Sequence, residues 1–254
     1  VFPCTILREE EADYAVGFFT PVDAEGIRII CRQPPIPEEP KEIEYPLSSR
    51  FGQVEAFTVF DDVFVPWERV FMCGEYEFAA RLLFFFNSFH IWHKCGCRAT
   101  VMELDIGALA LVADYNGTDS APHIQDYITE MIMNSEIVYS CALASAVQGF
   151  KHESGVYVPY RLPSNIAKTY AARKEGEDRF YMLEASGGLV ATMASEKDYR
   201  NPETGKYMDK YLRGREGVTT EERIRAFRLL EDLTISKWAG WYHAMCVPGG
   251  ANPQ

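Results

Sequence analysis

Residues 76–98 read Tyr76-Glu77-Phe78-Ala79-Ala80-Arg81-Leu82-Leu83-Phe84-Phe85-Phe86-Asn87-Ser88-Phe89-His90-Ile91-Trp92-His93-Lys94-Cys95-Gly96-Cys97-Arg98, and here the patterning changes from strand to helix. Upstream, residues 14–20 and 27–32 flank the turn segment Pro21-Val22-Asp23-Ala24-Glu25-Gly26 and predict a hairpin. Residues 54–60 and 63–72 predict a second pair around Asp61-Asp62, with Pro66 marking an edge or a bend. Downstream, apolar runs predict helices over 76–92 and 98–113, with Gly96 as a weak point between them and Tyr115-Asn116-Gly117 as a stop. A third helix is expected after Ser120-Ala121-Pro122, running to about Gly149. A fourth should cover 165–185, ended by Gly187-Gly188. The last begins at the capping box formed by Thr219 and Glu222 and continues through Ile224, Phe227, Leu230, Leu233 and Trp238. The order is α+β: a short β-rich domain over 1–73, then a bundle of long helices over 74–254.

Composition sets the outer limits. A chain of 254 residues, 47% of them hydrophobic, has enough apolar side chain for a large core. With 37 acidic against 25 basic residues its net charge of -12 repels phosphate backbones, so nucleic acid is not expected as a partner. Seven scattered cysteines do not make the even framework of a small secreted domain, and a reducing, cytoplasmic setting is expected. The apolar run 82–86 is far shorter than the roughly 20 residues of a spanning helix, so no membrane partner is expected. The chain opens on Val1 without signal-peptide layout, which reads as a cut or processed start. Residues 34–46, rich in proline and glutamate, read as a solvated extended loop.

The chemistry concentrates in residues 90–98. At about 100° per residue, positions seven apart differ by only about 20°, so His90 and Cys97 project from one helical face about two turns apart and can serve one metal centre. Lys94 lies between them on that face, while His93 is about 60° and Cys95 about 140° away. A helix-face histidine is more often hydrogen-bonded structure and a buried cysteine a small hydrophobe. Two histidines and two cysteines within eight residues shift that balance. Zinc accepts the same donors, and spacing alone does not choose between zinc and iron.

The wider sequence resembles the 4-hydroxybutyryl-CoA dehydratase and 4-hydroxyphenylacetate 3-hydroxylase family. The likeness lies in Phe51-Gly52-x-x-Glu55-Ala56, Val59-Phe60-Asp61-x-Val63-Phe64-x-Pro66, Glu75-Tyr76-x-Phe78-Ala79 and Ala113-Asp114-Tyr115-Asn116-Gly117. It begins near Ala12-Asp13-Tyr14-Ala15-Val16 and runs through Gly187-Gly188-Leu189 and Thr219-Thr220-Glu221-Glu222-Arg223 to Pro253-Gln254, nearly the whole chain. The resemblance implies an acyl-CoA dehydrogenase-like fold, FAD, and a [4Fe-4S] cluster whose histidine and last cysteine ligands are His90 and Cys97. The other two ligands then lie outside this chain, in an N-terminal half or a partner subunit. Glu55 matches the family's active-site glutamate, and Gly187 and Gly188 are expected beside the flavin diphosphate, although a simple helix cap explains that pair nearly as well. Where the dehydratases carry an active-site tyrosine, lysine and second glutamate, this chain has Lys94, Arg98 and Met245.

By that resemblance the expected activity is a lyase reaction, a radical dehydration of a hydroxyacyl-CoA-type substrate. The flavin supplies one-electron chemistry and the cluster a Lewis acid. Glu55 and His90 are the expected proton-handling groups, while Lys94 and Arg98 could bind an anionic part of an altered substrate. Two other readings stay open: a flavin-dependent aromatic hydroxylase, which needs no cluster, and a non-catalytic subunit that keeps the fold. A homo- or hetero-oligomer is expected by analogy.

Overall fold

The structure, a computed structural model, describes residues 1–32, 43–52 and 54–250, with side chains to 246. Most of the expected loop over 34–46 and the motif Pro253-Gln254 lie outside the described residues, as do the side chains of Pro248, Gly249 and Gly250.

The N-terminal part holds four short strands, β1 (Val16–Phe18), β2 (Ile27–Cys31), β3 (Ala56–Phe60) and β4 (Val70–Cys73). They do not pair as the two sequential hairpins that the turn residues predict. β1 pairs with β4 and β2 with β3, both antiparallel, so one ladder is nested inside the other in chain order. Gly26 explains the difference. It adopts φ +88°, and a Cβ there would sit 2.3 Å from the Asp61 carbonyl, so the turn before β2 is pressed against the end of β3 instead of folding β2 back on β1. The Gly26 carbonyl accepts from the Asp61 amide at 3.0 Å. Phe18 and Phe60 pack edge to face at 5.7 Å and join the two ladders.

The helical part starts with α1 (Ala79–Asn116), one unbroken helix of 38 residues. The expected break at Gly96 is absent. A mid-helix glycine costs only about 1 kcal/mol relative to alanine, whereas the turns on either side bury Ile91, Cys95, Ala99 and Met102 against neighbouring helices. Gly117, at φ +70°, ends α1 in the left-handed conformation. α2 (Pro122–Val147) follows, with proline in its first turn and no side-chain cap. The ladder β5 (Phe150–Lys151) and β6 (Tyr157–Val158) leads into α3 (Arg161–Ala185). α4 (Leu189–Thr192), α5 (Glu196–Arg200) and α6 (Pro202–Tyr211) are short and were not expected.

α7 (Thr220–Thr234) starts at the expected capping box, where the Thr219 hydroxyl accepts from the Glu222 amide at 3.2 Å and the Glu222 carboxylate accepts from the Thr219 amide at 2.8 Å. It stops before Trp238, earlier than expected. The Ser236 hydroxyl donates to the Asp232 carbonyl and accepts from the Ala239 amide, closing α7 and opening α8 (Lys237–Gly250).

α1, α2 and α3 pack on one another, α7 on α1, and α8 on α3. The main core gathers Leu109, Val112, Met131, Met182, Phe227 and Leu230. Residues 43–52 also belong to it: Ile43 is buried there, and the Asp232 carboxylate accepts from the amides of Leu47 and Ser48 at 2.9 and 2.7 Å. Among the described residues no helix is long and apolar enough to cross a membrane.

Candidate functional site on the long helix

The inward stripe of α1 includes Ser88, Ile91, Cys95, Arg98, Met102, Asp105, Leu109 and Val112. Steps of three and four residues keep one face of a helix turned to its neighbours. His90 and Cys97 each precede a stripe residue by one position, so they stand about 100° to the same side of it, and both are exposed. Position seven apart separates them by about 10 Å along the axis.

His90 stacks on Phe86, one turn earlier, with ring centroids 5.3 Å apart and planes 9° from parallel. Its imidazole is held below the usual histidine range by partial burial first, then by electrostatic repulsion from its neighbours, Lys94 foremost. Cys97 Sγ lies 3.5 Å from His93 Nε2 in a groove between α1 and α2 that Trp92, Tyr139 and Leu143 also line. Trp92 Nε1 donates to the Ala142 carbonyl at 3.0 Å and fixes the wall of that groove. Cys95 is different: it is buried, and burial pushes its thiol up to about 11, which suits a core residue and not a thiolate ligand.

Among the described residues no three His, Cys, Asp or Glu side chains converge on a metal position. His90 and Cys97 offer donor types that iron accepts, an imidazole and an accessible thiol, but two donors alone do not complete a coordination sphere.

Lys94 and Arg98 part company. Lys94 is half-buried and, with Lys168 of α3, lines a small cavity of about 30 Å³ between α1, α2, α3 and α8. Arg98 lines the same cavity but is buried and committed. It forms an ion pair with Glu175 of α3, and its Nη1 donates to the Tyr242 hydroxyl at 3.2 Å and to Cys246 Sγ at 3.0 Å. Glu175 also contacts His243 Nδ1 and lies 3.5 Å from Arg179, so one buried carboxylate gathers two guanidinium groups and an imidazole. Two further carboxyls complete the cluster. Burial pushes Asp105 up to about 7, with Arg98 pulling the other way. Asp178 is pushed to about 6 by burial, restrained by the 2.8 Å bond from the Asn134 side-chain amide.

These α3 and α8 partners escape local motif reading because they lie far from residues 90–98 in sequence. A signal does exist: Ala167, Ala171, Glu175, Asp178 and Met182 form a helical stripe, and two carboxylates on an otherwise apolar stripe mark a buried polar network.

Glu55 is placed at the end of the β2–β3 ladder, its carbonyl accepting from the Arg32 amide at 2.9 Å. The Arg32 guanidinium lies 5.6 Å over the ring of Trp241, so this end of the ladder faces α8. Among the described residues no contact joins the Glu55 side chain to His90, Lys94 or Cys97. Gly187 and Gly188 occupy the left-handed region, at φ +61° and +79°, where the chain turns from α3 into α4. An added Cβ at either would meet nothing within 4 Å, so backbone conformation and not space calls for glycine. They lie roughly 28 Å along α3 from Lys168, a separate location from the His90 region. Met245 is exposed on α8, one position before Cys246.

The family model described as 4-hydroxyphenylacetate 3-hydroxylase C terminal matches residues 79–254, and its N-terminal counterpart matches 1–72. The chain is 34% identical to the 4-hydroxybutyryl-CoA dehydratase/vinylacetyl-CoA-Delta-isomerase of Clostridium aminobutyricum, over all of this chain and 54% of that protein. It is 29% identical to the 4-hydroxyphenylacetate 3-monooxygenase oxygenase component of Thermus thermophilus, over 93% of this chain and 49% of that one. Among solved structures, an oxygen-tolerant archaeal 4-hydroxybutyryl-CoA dehydratase from N. maritimus superposes with TM-score 0.91 at 36% identity, covering 100% of this chain and 51% of that one. A 4-hydroxyphenylacetate 3-monooxygenase oxygenase component complexed with FAD and 4-hydroxyphenylacetate gives 0.91 at 27%, covering 100% and 53%. The chain thus spans about half the length of the curated relatives it matches, and the expected acyl-CoA dehydrogenase-like architecture holds.

Proposed function

This chain belongs to the 4-hydroxyphenylacetate 3-hydroxylase family, and from that premise we propose that it is part of an FAD-dependent dehydratase, a lyase acting on a hydroxyacyl-CoA-type substrate. His90 and Cys97 supply two ligands of a [4Fe-4S] cluster. The remaining ligands come from sequence outside this chain, either an N-terminal half or a partner subunit, in a homo- or hetero-oligomer. When bound, flavin and cluster would supply one-electron and Lewis-acid chemistry.

The observation that carries this reading is the placement of His90 and Cys97 on one side of an unbroken helix, both open to an incoming group. Phe86 orients the His90 ring by stacking. Lys94 sets a cation one turn from His90, and Glu55 is the proton-handling carboxylate brought from the strand region. The Arg98–Glu175 pair holds α1 against α3 behind the site. The reading also assigns Gly187 and Gly188 to the flavin side.

A second reading, a flavin-dependent aromatic hydroxylase, is favoured by the monooxygenase relatives that match most of the chain. One experiment separates the two. The protein completed to the family's length is assayed anaerobically for dehydration of 4-hydroxybutyryl-CoA, and in air with reduced flavin for hydroxylation of 4-hydroxyphenylacetate. Oxygen-independent dehydration supports the dehydratase reading; oxygen-dependent phenol hydroxylation alone overturns it.

A further inference from the structure

Asp232 of α7 is wholly buried, and one of its oxygens, Oδ2, accepts from the backbone amides of Leu47 and Ser48. Those amides stand 185 and 184 positions away in the chain, so only the finished fold makes the contact. A buried carboxylate costs free energy wherever an oxygen lacks a hydrogen bond, and Oδ1 has no partner among the described residues. What Asp232 contributes is directional: it fixes where Leu47 and Ser48 lie.

Leu47 and Ser48 belong to a hydrogen-bonded turn. The Leu47 carbonyl accepts from the amides of Arg50 and Phe51 at 3.0 and 2.8 Å, and the Tyr45 carbonyl accepts from that of Ser49 at 3.2 Å. Asp232 serves this turn as a capping side chain serves a helix, by taking up amides that have no partner within it. Ahead of the turn, Ile43 enters the main core, and the Glu44 carboxylate accepts from the Glu196 amide at the start of α5 at 2.9 Å. Residues 43–51 are thereby pinned to α7 and α5.

Glu55 follows Phe51 by four positions, a span of at most about 14 Å of extended chain. On its other side its carbonyl is bonded to the Arg32 amide. The β2–β3 ladder does not fix this position by itself. None of the five residues of β2 or the five of β3 is buried, and a lone two-stranded ladder is marginally stable at best in water. The contact of Arg32 with Trp241 and the pinned turn tie this end of the ladder to the helices.

We infer that Asp232 is a positioning residue for Glu55, acting through the turn over 45–51 that it caps. The inference rests on the reading of Glu55 as the proton-handling carboxylate.

The Arg32 amide reports the seat of Glu55 without cofactor or turnover, so hydrogen exchange followed by NMR in this chain tests the placement. In Asp232→Ala the amides of Leu47 and Ser48 should exchange about tenfold faster or more, and that of Arg32 more than about threefold faster, the scale for losing a hydrogen bond to a charged group. Amides inside α3 should keep their wild-type rates, which verifies the fold. Asp232→Asn keeps an acceptor oxygen and should fall between wild type and Asp232→Ala. If Asp232→Ala does not fold, the Arg32 rate in Asp232→Asn decides. An Arg32 amide at its wild-type rate in the folded variant overturns the inference.

Turnover supplies a second arm, in the protein completed to the family's length. Asp232→Ala should lower kcat for 4-hydroxybutyryl-CoA dehydration by about tenfold with KM within about twofold of wild type, and should change kcat by less than about twofold in the Glu55→Gln background, because residues that act as a unit are not additive. A full loss in the Glu55→Gln background also overturns the inference. Absence of dehydration by the wild type would overturn the dehydratase reading alone, and exchange at Arg32 would then decide whether Asp232 seats Glu55.

Discussion

Arg98 of α1 and Glu175 of α3 form a buried ion pair at the centre of the helix bundle, with His243 and Arg179 gathered on the same carboxylate. Removing one partner leaves the other buried without its main counter-charge, which typically costs about 3–5 kcal/mol. Arg98→Met or Glu175→Gln should therefore lower unfolding free energy by that amount in urea titrations. The double variant should lose less than the sum of the singles, since both singles break the same Arg98–Glu175 interaction. Strict additivity would show that the pair is not coupled.

Asp105 lies on the same buried stripe and is pushed up to about 7, against an ordinary value near 3.8. A carboxyl raised on folding contributes stability that is fully present below about pH 4 and is lost as pH rises to about 7. Asp105→Asn removes that loss. The variant should gain on the wild type between pH 4 and 7, by an amount on the order of 4 kcal/mol, and keep a constant lead above pH 7. A lead that shrinks as pH rises would contradict the assignment.

Glu55 is placed by the ladder bond to Arg32, and that bond is made by backbone atoms. Glu55→Gln should preserve the fold and oligomeric state while lowering turnover by about 10²–10⁴-fold, the usual scale for loss of a general acid or base. Circular dichroism and gel filtration monitor the first part and an anaerobic turnover assay the second. Turnover within a fewfold of wild type would remove Glu55 from the chemistry.

Thr219→Ala removes the side chain that accepts from the Glu222 amide at the start of α7. A loss of about 1 kcal/mol is expected, read as a lower denaturation midpoint with an unchanged slope.

Legibility in the sequence followed the range of the interactions. Thr219 with Glu222, Pro122 in a first helical turn and Gly117 after α1 act within one turn of chain, and each stands where its local chemistry puts it. Gly96 misled because its propensity cost is small beside the burial of Ile91, Cys95 and Ala99 around it. The nested strand pairing depends on Gly26 meeting Asp61, a contact 35 positions apart that no turn signal encodes.

The candidate site divides the same way. His90 and Cys97 were visible because seven residues make two helical turns within one element. Their position beside the buried stripe, rather than on it, emerges from which face α2 and α3 cover. Lys168, Glu175 and His243 come from distant elements and enter only through packing. Arg98 looked available for substrate in isolation, yet its position on the stripe, eight residues after His90, commits it to Glu175.

The central claim is that His90 and Cys97 hold iron. The direct measurement is iron, acid-labile sulfide and flavin content of the anaerobically purified protein, completed to the family's length, for the wild type and for His90→Ala and Cys97→Ser. The account predicts iron and sulfide in equal amounts in the wild type, with both sharply reduced in either variant while the oligomer persists. A flavin-loaded wild type with neither iron nor sulfide, or variants that keep the full complement, would contradict it.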